Sequence, residues 1–208
     1  MLGLSGDNLK IETVKTSIGE ASYCAPRGGI ITSLKLNGKE VLYLDEETFV
    51  STNQNVRGGI PILFPNAGAL ESPQYLKLSQ HGFARNSKNW TSENMVNGFR
   101  ENLVSDENSL EFYPYDFSLT IQGSFEENGS FTIIQKVANM SKEKDLPVSM
   151  GLHPYFRVSK EEKKNIQFNF EGGDFIKQKE EDWINGEYIS IDNPKLKDPK
   201  CYHGNRYT

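Results

Sequence analysis

Three histidines occur in 208 residues: His81 in QHGFAR, His153 in GLHPYF and His203 in CYHGNRY. Histidine has the unperturbed pKa nearest neutrality, so two of them in one cleft can give and take protons without extreme tuning. That capacity suits chemistry on hydroxyls and ring oxygens. Taken singly, a histidine is more often a hydrogen-bonded structural residue, so context must raise the reading. Gly82 and Arg85 follow His81, while Gly151 and Pro154 flank His153. Glycine lets the backbone turn and proline fixes the exit, which predicts that both histidines sit at strand ends.

Arg57 opens the run RGGIPILFPNAG, and Arg85 closes HGFAR. Each guanidinium is a fork of donors for hydroxyls, carboxylates or phosphates, with plain solvation as the alternative. Gly58 and Gly59 could let the chain approach a ligand, or could turn it into a buried Ile-Pro-Ile-Leu-Phe segment. The run has neither the spacing nor the following helix of a phosphate-cradling loop. Of the nearby aromatics, Phe83 and Trp90 read as core, whereas Tyr155 and Phe156, beside His153, are candidate faces for a sugar ring.

The elements that must position these residues read as β. Polar and apolar residues alternate over Leu9 to Val14, Ile30 to Leu36, Ser118 to Phe125 and Ser130 to Val137, the period of strands with one face on a core. Arg27-Gly28-Gly29, Asn37-Gly38, Asn128-Gly129 and Asn185-Gly186 supply turn chemistry. No amphipathic helix of ordinary length is present, and Lys160 to Lys164 reads as a solvated turn. Many short strands without interleaved helices predict an all-β sandwich or large barrel. Val56 to Gln80 and Leu196 to Thr208 break the strand pattern. The first is predicted to be a loop of about 25 residues, a length that is usually functional when the composition is this apolar.

The formal charge is −5, with 36% hydrophobic and 25% charged residues. Such a composition folds and stays in solution, as one domain over residues 1–208. Basic residues are scattered among acidic ones, which argues against a nucleic-acid partner. No apolar run approaches the roughly 20 residues that span a bilayer, and the N-terminal stretch lacks the order of a signal peptide, so a cytoplasmic address is expected. Cys24 and Cys201 have no CxxC neighbour and are expected to be ordinary thiols, with no metal site.

RGGIPILFPNAG, QHGFARNSKNW and GLHPYFRV, in that order, resemble the aldose 1-epimerase family, in the branch that includes hexose-6-phosphate mutarotases. The segment FTIIQKVANMSKEKDLPVSMGLHPYF is similar to the strand, Asn turn and strand that lead to the family's second histidine. The resemblance covers most of residues 20 to 160. It implies a galactose mutarotase-like β-supersandwich that interconverts α and β anomers of an aldohexose or hexose 6-phosphate by acid–base ring opening. His153 is then the acid and His81 its helper. Arg57 and Arg85 then match the arginines that, in the sugar-phosphate members, look toward the substrate and could hold a phosphate, and no cofactor is implied. Well-placed acid–base groups commonly contribute ~10²–10⁴-fold each.

In the family the base resembles a glutamate on a late apolar strand. None of Glu161, Glu162, Glu171, Asp174, Glu180, Glu181, Asp182, Glu187, Asp192 or Asp198 has that setting. The expectation is therefore a family member without its C-terminal strands. The alternative function is a carbohydrate-binding or regulatory module that keeps the sugar cleft without the reaction. Oligomeric state is not legible.

Overall fold

The computed structural model describes residues 9–51, 53–68, 70–72, 75–166, 173–178 and 184–191. Cys201, His203, the stretch 196–208, and Glu171, Glu180, Glu181, Asp182, Asp192 and Asp198 lie outside the described residues. In chain order the first strands are β1 (Glu12–Lys15), β2 (Gly19–Cys24), β3 (Ile30–Leu36), β4 (Lys39–Glu40), β5 (Ile62–Leu63), β6 (Leu70–Ser72) and β7 (Tyr75–Leu78). They are followed by β8 (Thr91–Met95), β9 (Gly98–Val104), β10 (Phe117–Phe125), β11 (Phe131–Asn139), β12 (Gly151–Leu152), β13 (Gly173–Gln178) and β14 (Ile184–Ile191). Two short helices, α1 (Glu46–Val50) and α2 (Glu107–Phe112), interrupt them.

The chain forms two compact units that are interleaved in sequence: residues 1–62, 84–147 and 152–157 in the first, 63–83, 148–151 and 158–208 in the second. The first unit holds two four-stranded sheets, β1-β2-β3-β4 and β11-β10-β9-β8. Every pairing in them is antiparallel. Asn37 at φ 51° and Gly38 at φ 74° join β3 to β4. Two successive positive φ angles make the tight turn whose twist matches its flanking strands.

Phe117–Phe125 alternates strictly between buried and half-buried residues, so the period read from the sequence is the period of burial. Tyr23 stacks on Phe99 with ring centroids 4.2 Å apart, and Val14, Ile31, Leu42, Ile60 and Phe125 complete the cluster around them. Cys24 is buried and free, and burial pushes its thiol up to about 11, as befits a packing residue.

Both helices fall below the length at which apolar periodicity is legible, but each has a capping aspartate. Asp45 Oδ1 accepts from Thr48 N–H at 2.8 Å, and Asp106 Oδ1 from Ser109 N–H at 2.7 Å. The turn over Glu162–Asn165, where Glu162, Lys163 and Asn165 are exposed, agrees with the solvated turn expected there.

The second unit contains the hairpins β6-β7 and β13-β14. Two expectations change. Val56 to Gln80 is not one long loop, because β5, β6 and β7 lie within it. Asn185-Gly186 is not a hairpin turn but part of β14, where the register with β13 shifts between Ile176 and Gln178. An irregular ladder absorbs extra residues as a bulge does, and Asn-Gly serves that purpose as well as a turn.

Candidate active site

Arg57, Arg85, His153, Tyr155 and Phe156 belong to the first unit and His81 to the second. Residues His153 to Arg157 form the spine of the first unit's site. His153 N–H donates to Pro61 O at 3.1 Å and Tyr155 N–H to Gly59 O at 2.9 Å. On the other side, Tyr155 O accepts from Tyr43 N–H at 2.9 Å and Arg157 N–H donates to Val41 O at 2.8 Å. Arg157 Nε adds a bond to Leu42 O at 3.2 Å. The segment is thus anchored along both edges like a strand, although only an isolated bridge, Leu42 to Phe156, is regular.

Its side chains stay accessible. His153 and Tyr155 are half-buried, their rings stacked at 4.9 Å and 29°. Phe156 is 55% exposed. Stacking on Tyr155 fixes the plane of the imidazole.

The paired glycines serve this spine. A Cβ on Gly59, at φ +63°, would lie 2.4 Å from Ile31 O, and one on Gly58, at φ +131°, 2.5 Å from Leu44 Cα. The close approach they permit is to the protein's own backbone, and Ile60, Ile62, Leu63 and Phe64 behind them are buried. Arg57 is exposed and sits at the mouth of this turn. Its N–H donates to Thr48 Oγ1 and its carbonyl accepts from Asp45 N–H, both at 2.9 Å. The Asp45 carboxyl is held low chiefly by the Thr48 N–H at the helix cap, with the Arg57 charge a smaller contributor.

Arg85 lies half-buried in a 3₁₀ turn over Ala84–Asn86. Burial lowers its basicity and the Tyr155 phenol acts in the opposite sense, so the two side chains are within electrostatic reach. Trp90 holds this turn in place, buried and donating its Nε1–H to Ala84 O at 2.9 Å.

In the second unit, His81 is half-buried at φ 71°, a left-handed conformation uncommon outside glycine. Its N–H donates to Ala67 O at 3.1 Å, and its Nδ1 lies 2.7 Å from the same carbonyl. A carbonyl can only accept, so the proton resides on Nδ1, and Nε2 is the acceptor of the neutral ring. Gly82 follows at φ 63°, with Phe64 O 2.1 Å from the site of a Cβ. Phe83 packs edge-on against Phe64 at 5.9 Å.

Asn66, 1% exposed, is a positioning residue that motif reading passed over. Its Nδ2 donates to Gly68 O at 2.6 Å and to Ser79 O at 2.9 Å, tying together the two arms of the loop that carries His81. An asparagine after Phe-Pro in an otherwise apolar run was the available signal.

A profile of the aldose 1-epimerase family matches residues 13–206. The chain belongs to the aldose 1-epimerase family. Among curated proteins, one from Cenchrus ciliaris, named "Putative glucose-6-phosphate 1-epimerase", is 28% identical over 144 residues, which is 64% of this chain and 42% of that protein. An Escherichia coli protein of the same name is 28% identical over 160 residues, 73% of this chain and 50% of that one. The chain spans about half the length of the curated relatives it matches. A Synechocystis protein of known crystal structure superposes with a TM-score of 0.75 at 29% identity, over 96% of this chain and 70% of its own. A galactose mutarotase-like protein from Lactobacillus casei, 21% identical with a TM-score of 0.67 over 88% of this chain and 64% of its own, shares the fold. The fold is the all-β galactose mutarotase-like one. No helix among the described residues is long and apolar enough to cross a membrane.

Proposed function

We propose that the protein interconverts the anomers of an aldohexose or hexose 6-phosphate, with His153 as the proton donor to the ring oxygen and His81 assisting. In ring opening, the C1 hydroxyl loses its proton, the bond from C1 to the ring oxygen breaks, and that oxygen gains a proton. Rotation about C1–C2 and reclosure give the other anomer, so no redox partner or group acceptor is consumed. His153 supplies the second proton. The first needs a carboxylate base, which none of the six site residues named above provides.

The observation that carries the reading is the His153–Tyr155 pair: an imidazole fixed by stacking and by an anchored backbone, yet half-buried. Arg57 and Arg85 would hold hydroxyls or a phosphate, and the exposed ring of Phe156 would face the sugar. Domain 1–208 then acts as one epimerase-like domain. The relatives named for glucose 6-phosphate favour a phosphorylated substrate over a free sugar.

Exchange spectroscopy on equilibrated anomers tests this directly. The expected result is accelerated exchange of glucose 6-phosphate anomers, exceeding that of glucose. Ligand binding with no acceleration of either would make the chain a carbohydrate-binding module instead.

A further inference from the structure

Within the first unit, a cavity of about 260 Å³ is lined by Pro26, Arg27, Gly28, Asn53, Gln54, Asn55, Asn86 and Lys88. It includes none of the six site residues. Its volume falls just short of the roughly 300–1,000 Å³ of drug-sized sites, which suits a small molecule. Among the described residues, two cations and four carboxamides line it and no carboxylate does.

Arg27 is the telling residue. It is 9% exposed, yet none of the ion pairs among the described residues involves it. Its Nε donates to Phe49 O at 3.0 Å, and its Nη2 to Thr48 O at 3.2 Å, Ser51 O at 2.6 Å and Gln54 O at 2.8 Å. Those carbonyls supply dipoles but no formal charge, and Nη1 makes no hydrogen bond among the described residues. A buried cation without a counter-ion is costly, and an anion entering the cavity would relieve that cost. Lys88, exposed at the rim, likewise has no ion-pair partner among the described residues.

We propose that this cavity is a second binding site, for a small phosphoryl-bearing polyol, with Arg27 and Lys88 taking the oxyanion and the Asn53, Gln54, Asn55 and Asn86 amides the hydroxyls. The site also touches the first one through the backbone. Gly28, at φ +79°, packs so close to Arg85 that an added Cβ would lie 1.9 Å from the Arg85 carbonyl oxygen. Asn86 belongs to the same 3₁₀ turn. A ligand here therefore grips the turn that carries Arg85.

The test is an amide chemical-shift titration of the full chain with inorganic phosphate, glucose 6-phosphate and glucose. Phosphate and glucose 6-phosphate should move the amides of Gly28, Asn53, Asn55 and Asn86 saturably, and glucose alone should not. Lys88→Glu should weaken phosphate binding at these amides by about tenfold, the worth of one charge-assisted hydrogen bond, whereas Arg57→Ala should leave it unchanged. Arg27 itself is left intact because it also staples the 48–54 segment. Shifts confined to residues around Arg57 and His153, or equal phosphate binding by Lys88→Glu at these four amides, would overturn the proposal.

Discussion

Strands β9 and β10 and the segment His153–Arg157 are both held by backbone hydrogen bonds along two edges, but they use that rigidity differently. In these two strands, alternate side chains are buried, and Ile121 and Phe99 are wholly enclosed. In the segment, the side chains are half-buried or exposed while the backbone is as firmly tied. Order without burial is what a binding or catalytic surface needs, because its groups must be fixed before a ligand arrives. Substitutions in the sheet should therefore act on stability, and substitutions in the segment on chemistry.

The largest stability effect expected in the sheet comes from Glu101. It is wholly buried on β9, and neither carboxyl oxygen has a hydrogen-bond partner among the described residues. Burial, helped by the nearby Glu12 charge, pushes it up from the ordinary 4.5 to about 8. The folded state thus keeps a proton that the unfolded chain releases above about 4.5, so stability falls as pH rises from there to about 8. The fall should be on the order of 4 kcal/mol, and Glu101→Gln should flatten it in urea unfolding followed from pH 5 to pH 8. An unchanged slope in the variant would locate the pH dependence elsewhere.

Next in size, Ile121→Ala should cost about 2–4 kcal/mol through the lost methylenes and the cavity left behind, read from the urea midpoint. Smallest of all, Phe156→Ser should change stability by less than about 0.5 kcal/mol while weakening sugar binding, since its ring is 55% exposed. A thermal shift for Phe156→Ser as large as that for Ile121→Ala would erase the distinction between the two regions.

The same distinction explains what the sequence revealed. Strand β3 coincides with the run Ile30 to Leu36, although its first three residues are all buried, and β10 differs by one residue from Ser118 to Phe125, where burial of one face imposes period two. No such rule writes His153–Arg157 or Val56–Gln80, where backbone ties, positive-φ glycines and two-residue strands replace periodicity. His81 and His153 were legible as residue types beside Gly and Pro. The Asn66 brace and the Arg27 cavity were not, since both depend on which distant carbonyls meet one side chain. Glu101 was hidden for the opposite reason: a strand pattern predicts an apolar residue at its position, and the exception shows only in three dimensions.

The claim that His153 is the proton donor rests on a ring that is fixed but not needed for the core. The most direct measurement is the catalysed anomer-exchange rate of wild type and His153→Ala on glucose 6-phosphate, with ligand binding and unfolding midpoints recorded alongside. A rate loss of about 10²–10⁴-fold, with binding and stability nearly unchanged, is the predicted result. Wild-type exchange rates in the His153→Ala protein would contradict it.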